Sequence, residues 1–130
     1  MNYMKLIDVA KDAMKNSYSP YSNFAVGAAL QTIDGQIYKG CNVENAAYGA
    51  TNCAERTALF SAIADGQIQF EAMAIVSSSG DYTYPCGICR QVIAELMPAG
   101  KLIFSNNEGG YKELTVGEIL PYAFTKENLK

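Results

Sequence analysis

An α/β fold, with helices around a mixed five-stranded sheet, is the class this sequence predicts, and three observations carry it. After residue 25 strand-like and helix-like segments alternate, as they do in α/β layer structures. Asp34-Gly35 lies between two strand-like runs, VGAALQT and QIYKGC, and tolerates the positive φ of a tight hairpin. Residues 72–78, AMAIVSS, form a short continuous apolar run of the kind found in a strand covered on both faces.

The elements follow in order. Tyr3, Leu6, Ile7, Ala10 and Met14 recur at three- and four-residue steps opposite Lys5, Asp8, Asp12 and Lys15, which predicts an amphipathic first helix. It ends before the turn-rich stretch 16–23, where Pro20 lies between two tyrosines. Strands are expected near 25–32 and 36–41, then a loop over 44–52. Ala54, Thr57, Ala58, Leu59, Ile63 and Ala64 predict a second helix that Gly66 stops. After the buried strand at 72–78, Thr83-Tyr84-Pro85 breaks the chain. A third helix through Ile88, Val92, Ile93, Leu96 and Met97 ends at Pro98 and Gly100. KLIFS, residues 101–105, supplies the next strand, and Glu108-Gly109-Gly110 turns into an edge strand at 111–115. A short helix over 116–120 precedes PYAFTKENLK.

Length and composition narrow the function classes. The 130 residues, 49% apolar and 18% charged, suit one globular domain spanning 1–130 that needs no disulfide staples. Ten cations against thirteen anions, scattered along the chain, disfavour a nucleic acid polymer as partner, since a phosphate backbone needs clustered positive charge. No apolar run approaches the roughly 18 to 20 residues that span a bilayer, so no membrane partner is expected. Charges at Lys5, Asp8, Lys11 and Asp12 interrupt anything like a signal peptide. A cytoplasmic location is the expectation, and in a reducing compartment the four cysteines point to metal binding or catalysis before disulfides. There is no histidine, which removes Ser-His-Asp and Cys-His catalysis and any imidazole metal ligand. Acid–base chemistry must then come from a carboxylate, and a soft metal site from thiolates.

Three of the four cysteines stand at two predicted helix starts: Cys53 before Ala54-Glu55-Arg56, and Cys86 with Cys89 in Pro85-Cys86-Gly87-Ile88-Cys89. The partial positive charge and free N–H groups of a helix N-terminus stabilise thiolate, the form that binds zinc. A C-x-x-C pair by itself also serves as a redox couple or as half of a structural zinc ribbon. A redox couple has no use for a third cysteine beside a carboxylate, and a four-thiolate site would need Cys41, which lies in a strand-like run as a small apolar residue. Cys53, Cys86 and Cys89 therefore point to a catalytic zinc, one per chain, with an open position for water. Glu55, two residues after Cys53, is placed to act as base toward that water without ligating the ion. Its alternative is an acidic first-turn residue complementing the helix dipole. Zinc with three thiolates carries net negative charge and needs a cation nearby, a task that suits Arg56, against the alternative of a solvated surface arginine. Arg90, after Cys89, is open between such a role and an ordinary salt bridge.

Cys53-Ala54-Glu55, followed about thirty residues later by Pro85-Cys86-x-x-Cys89, resembles the zinc-dependent cytidine deaminases in their all-cysteine form. The likeness runs from Tyr18–Phe24 through Gly40-Cys41-Asn42-Val43-Glu44-Asn45-Ala46 to Cys89-Arg90-Gln91, and weakly to Leu120–Phe124. It is similar in length and order to the small homotetrameric nucleoside deaminases. The resemblance implies a three-layer α-β-α fold, a nucleoside substrate and hydrolytic deamination of cytidine and deoxycytidine. It further implies that Phe24 stacks on the pyrimidine and that Asn42 and Glu44 bind ribose hydroxyls. Ala54 N–H would hold the base carbonyl, Arg56 would donate to thiolate sulfur, and Phe124 would reach a neighbouring subunit's site. Without the resemblance, Phe24 reads equally well as a core aromatic, Asn42 and Glu44 as a polar turn, and Phe124 as a terminal residue packed on its own subunit. Two rivals stand beside this expectation. A deaminase of a cytosine-nucleoside antibiotic, of the blasticidin S type, is disfavoured by the intact Asn42-Val43-Glu44-Asn45 run; a non-catalytic zinc-binding module would leave Glu55 and Phe24 idle.

Overall fold

A computed structural model of the chain describes residues 3–129. Helix α1 (Tyr3–Met14) leads into strands β1 (Val26–Thr32) and β2 (Ile37–Cys41), followed by α2 (Ala54–Ala64), β3 (Phe70–Ser77), α3 (Gly87–Leu96), β4 (Lys101–Ser105), β5 (Tyr111–Thr115) and α4 (Val116–Ile119). The five strands form one sheet in the order β2-β1-β3-β4-β5. β3 and β4 pair in parallel, and every other neighbouring pair is antiparallel. The sheet is therefore mixed, with the apolar run of β3 at its centre. At the β1–β2 hairpin Gly35 takes φ of 93°, the left-handed conformation that the Asp-Gly pair predicts.

Helices cover both faces, as in a three-layer fold. The inward stripe of α1, Leu6, Ile7 and Ala10, packs on Ala29, Ala72, Ala74 and Ile103. On the other face Ala54, Ala58, Leu59 and Ala62 of α2 and Ile93 of α3 pack on Ala28, Leu30, Met73, Ile75 and Leu102. Alternate residues along β1 and β3 thus serve opposite cores, which is why both strands read as continuous apolar runs. A 3₁₀ turn at Tyr48–Ala50 lies in the stretch expected to be loop, and another at Lys126–Leu129 follows α4. Stretches of three or four residues are too short to carry a periodicity. None of the described helices is long and apolar enough to cross a membrane.

Two glycines let helix backbone touch the sheet. A Cβ on Gly27 would sit 2.1 Å from the Ala10 carbonyl oxygen of α1, and one on Gly40 would sit 2.2 Å from the Ala54 carbonyl oxygen of α2. The second contact seats the first turn of α2 directly on β2. Gly40→Ala is expected to lower stability by ~1–3 kcal/mol or more through overpacking, read as a fall in the chemical-denaturation midpoint. Gly49→Ala, where an added Cβ meets nothing within 4 Å, is the control. Equal midpoints for the Gly40 variant and the parent would show that α2 yields easily.

Candidate active site

Cys53 is the N-cap of α2 and Cys86 the N-cap of α3, so two helix N-termini deliver sulfur to one place. Cys89, in the first turn of α3, is fully buried, and its backbone N–H donates to Cys86 Sγ at 3.5 Å. The Sγ atoms of Cys53, Cys86 and Cys89 all lie within 4.8 Å of one another. Cys41 stands outside this cluster, and burial pushes its thiol up from the ordinary value. The start of α2 is further secured by Thr57 Oγ1, which donates to the Cys53 carbonyl at 3.0 Å and accepts from Asn52 Nδ2 at 3.1 Å.

The electrostatics set Cys53 apart from Cys89. Hydrogen bonding from Cys89, with a further donation from Arg56, pulls Cys53 down to about 5. Cys89 is pushed up, first by its hydrogen bond to Cys53 and then by burial, since it keeps the proton beside a thiolate. Arg56 Nη2 reaches Cys53 Sγ at 3.4 Å and the Thr51 carbonyl at 3.5 Å, while its Nε is buried without a hydrogen-bond partner. Glu55 is 4% exposed. Burial, followed by the charge of Cys53, lifts its carboxyl to about 7, where protonated and ionised forms are both accessible at neutral pH.

The donor set fits a zinc ion. Tetrahedral zinc with bonds of ~2.3 Å to sulfur holds its thiolates about 3.8 Å apart. Cys53 and Cys86 Sγ are 3.8 Å apart. One zinc per chain, held by these three sulfurs, matches the chemistry of the cluster, and a buried carboxyl in the adjoining helical turn completes it.

A second group of predicted residues is tied to this cluster through Val43. Val43 exchanges backbone hydrogen bonds with Asn52 at 2.9 and 3.0 Å, which places the 42–44 segment beside Cys53. Asn42 and Glu44 in turn bond the backbone of Tyr18 on the loop before β1, at 3.0 and 2.8 Å. Glu44 accepts from the N–H groups of Tyr21 and Ser22 and from the Ser22 hydroxyl, and these bonds, the hydroxyl first, hold its carboxyl below the ordinary range. Asn42 is buried: its Oδ1 accepts from Val26 N–H and from Ser17, and its Nδ2 donates to the Phe24 carbonyl at 2.8 Å. Glu44 borders a cleft of about 400 Å³ lined by Tyr21, Ser22, Asn45, Tyr48 and Thr51. A larger cavity of about 510 Å³, around Ser79, Tyr82, Tyr84 and Asn106, contains none of the predicted site residues.

Residues 1–106 match the cytidine and deoxycytidylate deaminase zinc-binding region. The chain belongs to this deaminase family. It is 50% identical over 130 residues to the cytidine deaminase of Sporosarcina psychrophila, covering 99% of this chain and 96% of that protein. It is 49% identical over 130 residues to the cytidine deaminase of Halalkalibacterium halodurans, covering 99% and 98%. The crystal structure of cytidine deaminase from Burkholderia pseudomallei superposes with a TM-score of 0.91 at 50% identity, covering 95% of this chain and all of that one.

Several residues of this deaminase chain hold the site together in ways its sequence did not reveal. Among the described residues Arg90 forms no salt bridge: it donates from Nε to the Pro85 carbonyl at 2.7 Å and from Nη1 to the Ile119 carbonyl at 2.9 Å, bracing the loop before Cys86 against the end of α4. Gln91 Nε2 donates to the Phe124 carbonyl at 2.7 Å, so the carboxy-terminal segment is tied to the cysteine-bearing helix while the Phe124 side chain stays exposed. Bonds to backbone carbonyls leave no pattern in a sequence. The Tyr21–Tyr48 edge-on ring pair beside Glu44, with centroids 6.2 Å apart, is equally silent there.

Proposed function

We propose that this chain hydrolyses cytidine and deoxycytidine to uridine and deoxyuridine with release of ammonia. The observation that carries this is Glu55: a buried carboxyl, raised to about 7, in the same helical turn as one sulfur of a three-cysteine cluster. Burial of a carboxyl without a hydrogen-bonded cation opposes folding, so a purely structural metal site would leave that cost without a return.

Cys53, Cys86 and Cys89 would hold zinc, which supplies a water acidic enough to attack at neutral pH. Glu55 takes the proton from the attacking water and delivers it to N3 of the pyrimidine, making C4 electrophilic. It then carries a proton to the departing amine, so cytidine and water become uridine and ammonia. Arg56, donating to Cys53 sulfur, draws electron density from that thiolate and offsets the charge of three such ligands. Ala54 N–H, at the first position of α2, receives the base carbonyl. Phe24 covers the base face. Glu44, kept ionised, accepts from a sugar hydroxyl, and Asn42 contributes its remaining N–H, because its other amide positions already clamp Ser17, Phe24 and Val26.

The working unit in this proposal is a single domain over 1–130, acting in the cytoplasm, where thiols stay reduced. It assembles as a homotetramer in which Phe124 completes a neighbour's site. Exposed Tyr48, Phe60, Tyr122 and Phe124 supply apolar surface for that association.

Ultraviolet assay on cytidine, deoxycytidine, cytidine monophosphate and single-stranded DNA tests the assignment. Turnover is expected for both nucleosides and not for the others, since Glu44 repels added negative charge and the ten cations, outnumbered by thirteen anions, are scattered along the chain. Comparable kcat/KM for the monophosphate would overturn the free-nucleoside assignment, and sedimentation of a fully active monomer would overturn the shared site.

A further inference from the structure

The loop before β1 carries a hydroxyl that the chemistry above leaves unused. Ser22 Oγ donates to Glu44 Oε2 and accepts from Phe24 N–H at 3.0 Å. A serine hydroxyl has one proton and two lone pairs; an ionised carboxylate claims the proton, which turns a lone pair toward Phe24. The N–H groups of Tyr21 and Ser22 occupy Glu44 Oε1 at 2.9 and 3.1 Å. Oε1 is filled by two donors and Oε2 by one, so a single acceptor position on Oε2 is left for a ligand. The other backbone group of Phe24, its carbonyl, is held by Asn42 Nδ2 at 2.8 Å. Between Ser22 and Phe24, Asn23 takes φ of 56°, a left-handed conformation that persists where its surroundings fix it.

We propose that Ser22 is a positioning residue whose hydroxyl locks the Glu44 carboxylate and the Phe24 backbone in one fixed relation. Given the deamination proposed above, on which this role rests, the sugar and the base of one nucleoside are then met at a set spacing. Ser22 is exposed, so it contributes little by burial; what it offers is the pair of hydrogen bonds. Without the hydroxyl Glu44 keeps its two amide donors but is free to swing at Oε2, and Phe24 N–H turns to water. The ordering of both groups must then be supplied at binding, which weakens affinity more than it slows chemistry.

Steady-state kinetics on cytidine with zinc-loaded Ser22→Ala and Ser22→Thr, beside denaturation midpoints, test this role. Ser22→Ala is expected to raise KM about tenfold, as loss of a hydrogen bond to a charged group does, with a smaller change in kcat. Ser22→Thr restores most of the affinity. Adding Ser22→Ala to Glu44→Gln is expected to cost no more than about twofold beyond Glu44→Gln alone, because the two act as one unit. An unchanged KM in Ser22→Ala, or fully additive losses in the double variant, would overturn the role of Ser22 while the deaminase assignment stands. Equal KM changes in the alanine and threonine variants, tracking a lowered midpoint, would overturn it too and leave Ser22 a structural part of the loop. A parent enzyme inactive on cytidine would overturn the assignment itself, and this role with it.

Discussion

Glu55→Gln is expected to lower kcat on cytidine by at least the ~10²–10⁴-fold typical of a lost general acid–base, because one carboxylate serves every proton transfer. Zinc content should not change, since Glu55 is not among the clustered ligands. Stability separates this from a folding defect, and its sign follows from burial. The folded carboxyl is raised to about 7, so the folded chain binds this proton more tightly than the unfolded chain does. The contribution is fully present below the unfolded value, near the model-peptide ~4.3, and is lost as pH rises through about 7. Metal-free parent protein should therefore lose stability over that window relative to metal-free Glu55→Gln, in which no charge is forced into the core. Urea denaturation of both proteins across pH 4 to 8 reads the difference. Near-normal turnover in zinc-loaded Glu55→Gln would sink the mechanism, and a pH-independent stability difference would mean that the carboxyl finds solvent.

Cys53→Ala, Cys86→Ala and Cys89→Ala should each reduce bound zinc from one per chain to near zero and abolish activity, while Cys41→Ala keeps both. Three sulfurs are the minimum that closes such a site, and losing one leaves two ligands around an ion that prefers four. Cys89→Ala should also lower stability most, because Cys89 is fully buried among the α3 contacts and its removal opens space there, whereas Cys86 is exposed. Metal analysis by atomic emission on the purified variants checks this. Loss of zinc from Cys41→Ala with retention in Cys53→Ala would reverse the ligand assignment. Removing zinc from the parent with a chelator should abolish turnover, and adding zinc back should restore it.

The parts of this fold legible in the sequence are those written in local chemistry. The stripe from Leu6 to Ala10, the Asp34-Gly35 turn and the apolar run around Met73 to Val76 each record a neighbour a few residues away or a face that must be dry. Cys53 with Glu55, and Cys86 with Cys89, were readable because helix starts set both spacing and thiolate character. The insertion of β3 between β1 and β4 was not readable, since pairing of Ala28 with Ile75 joins segments far apart and leaves no period behind. Nor were Arg90, Gln91 and Ser22: their partners are backbone groups or single carboxylate oxygens whose identity is set only once the loops are in place. For Asn42 the resemblance implies a ribose contact, and the sequence alone reads equally well as a polar turn. The structure adds that most of its amide already holds the loop before β1.

Gly27 and Gly40 lie on adjacent strands and face opposite helices, each admitting main chain where other positions admit side chains. The seat of α2 is thus set by main chain and by the smallest of side chains, which leaves no longer side chain whose rotation could loosen it. Ala58 belongs to that seat, its nitrogen 2.6 Å and its Cβ 2.9 Å from where a Cβ on Gly40 would stand, so a larger residue at either position would displace the turn that carries Glu55. Lineages of this protein should therefore change slowest, outside the site, at two residues that have no side chain at all and at the alanine pressed against one of them.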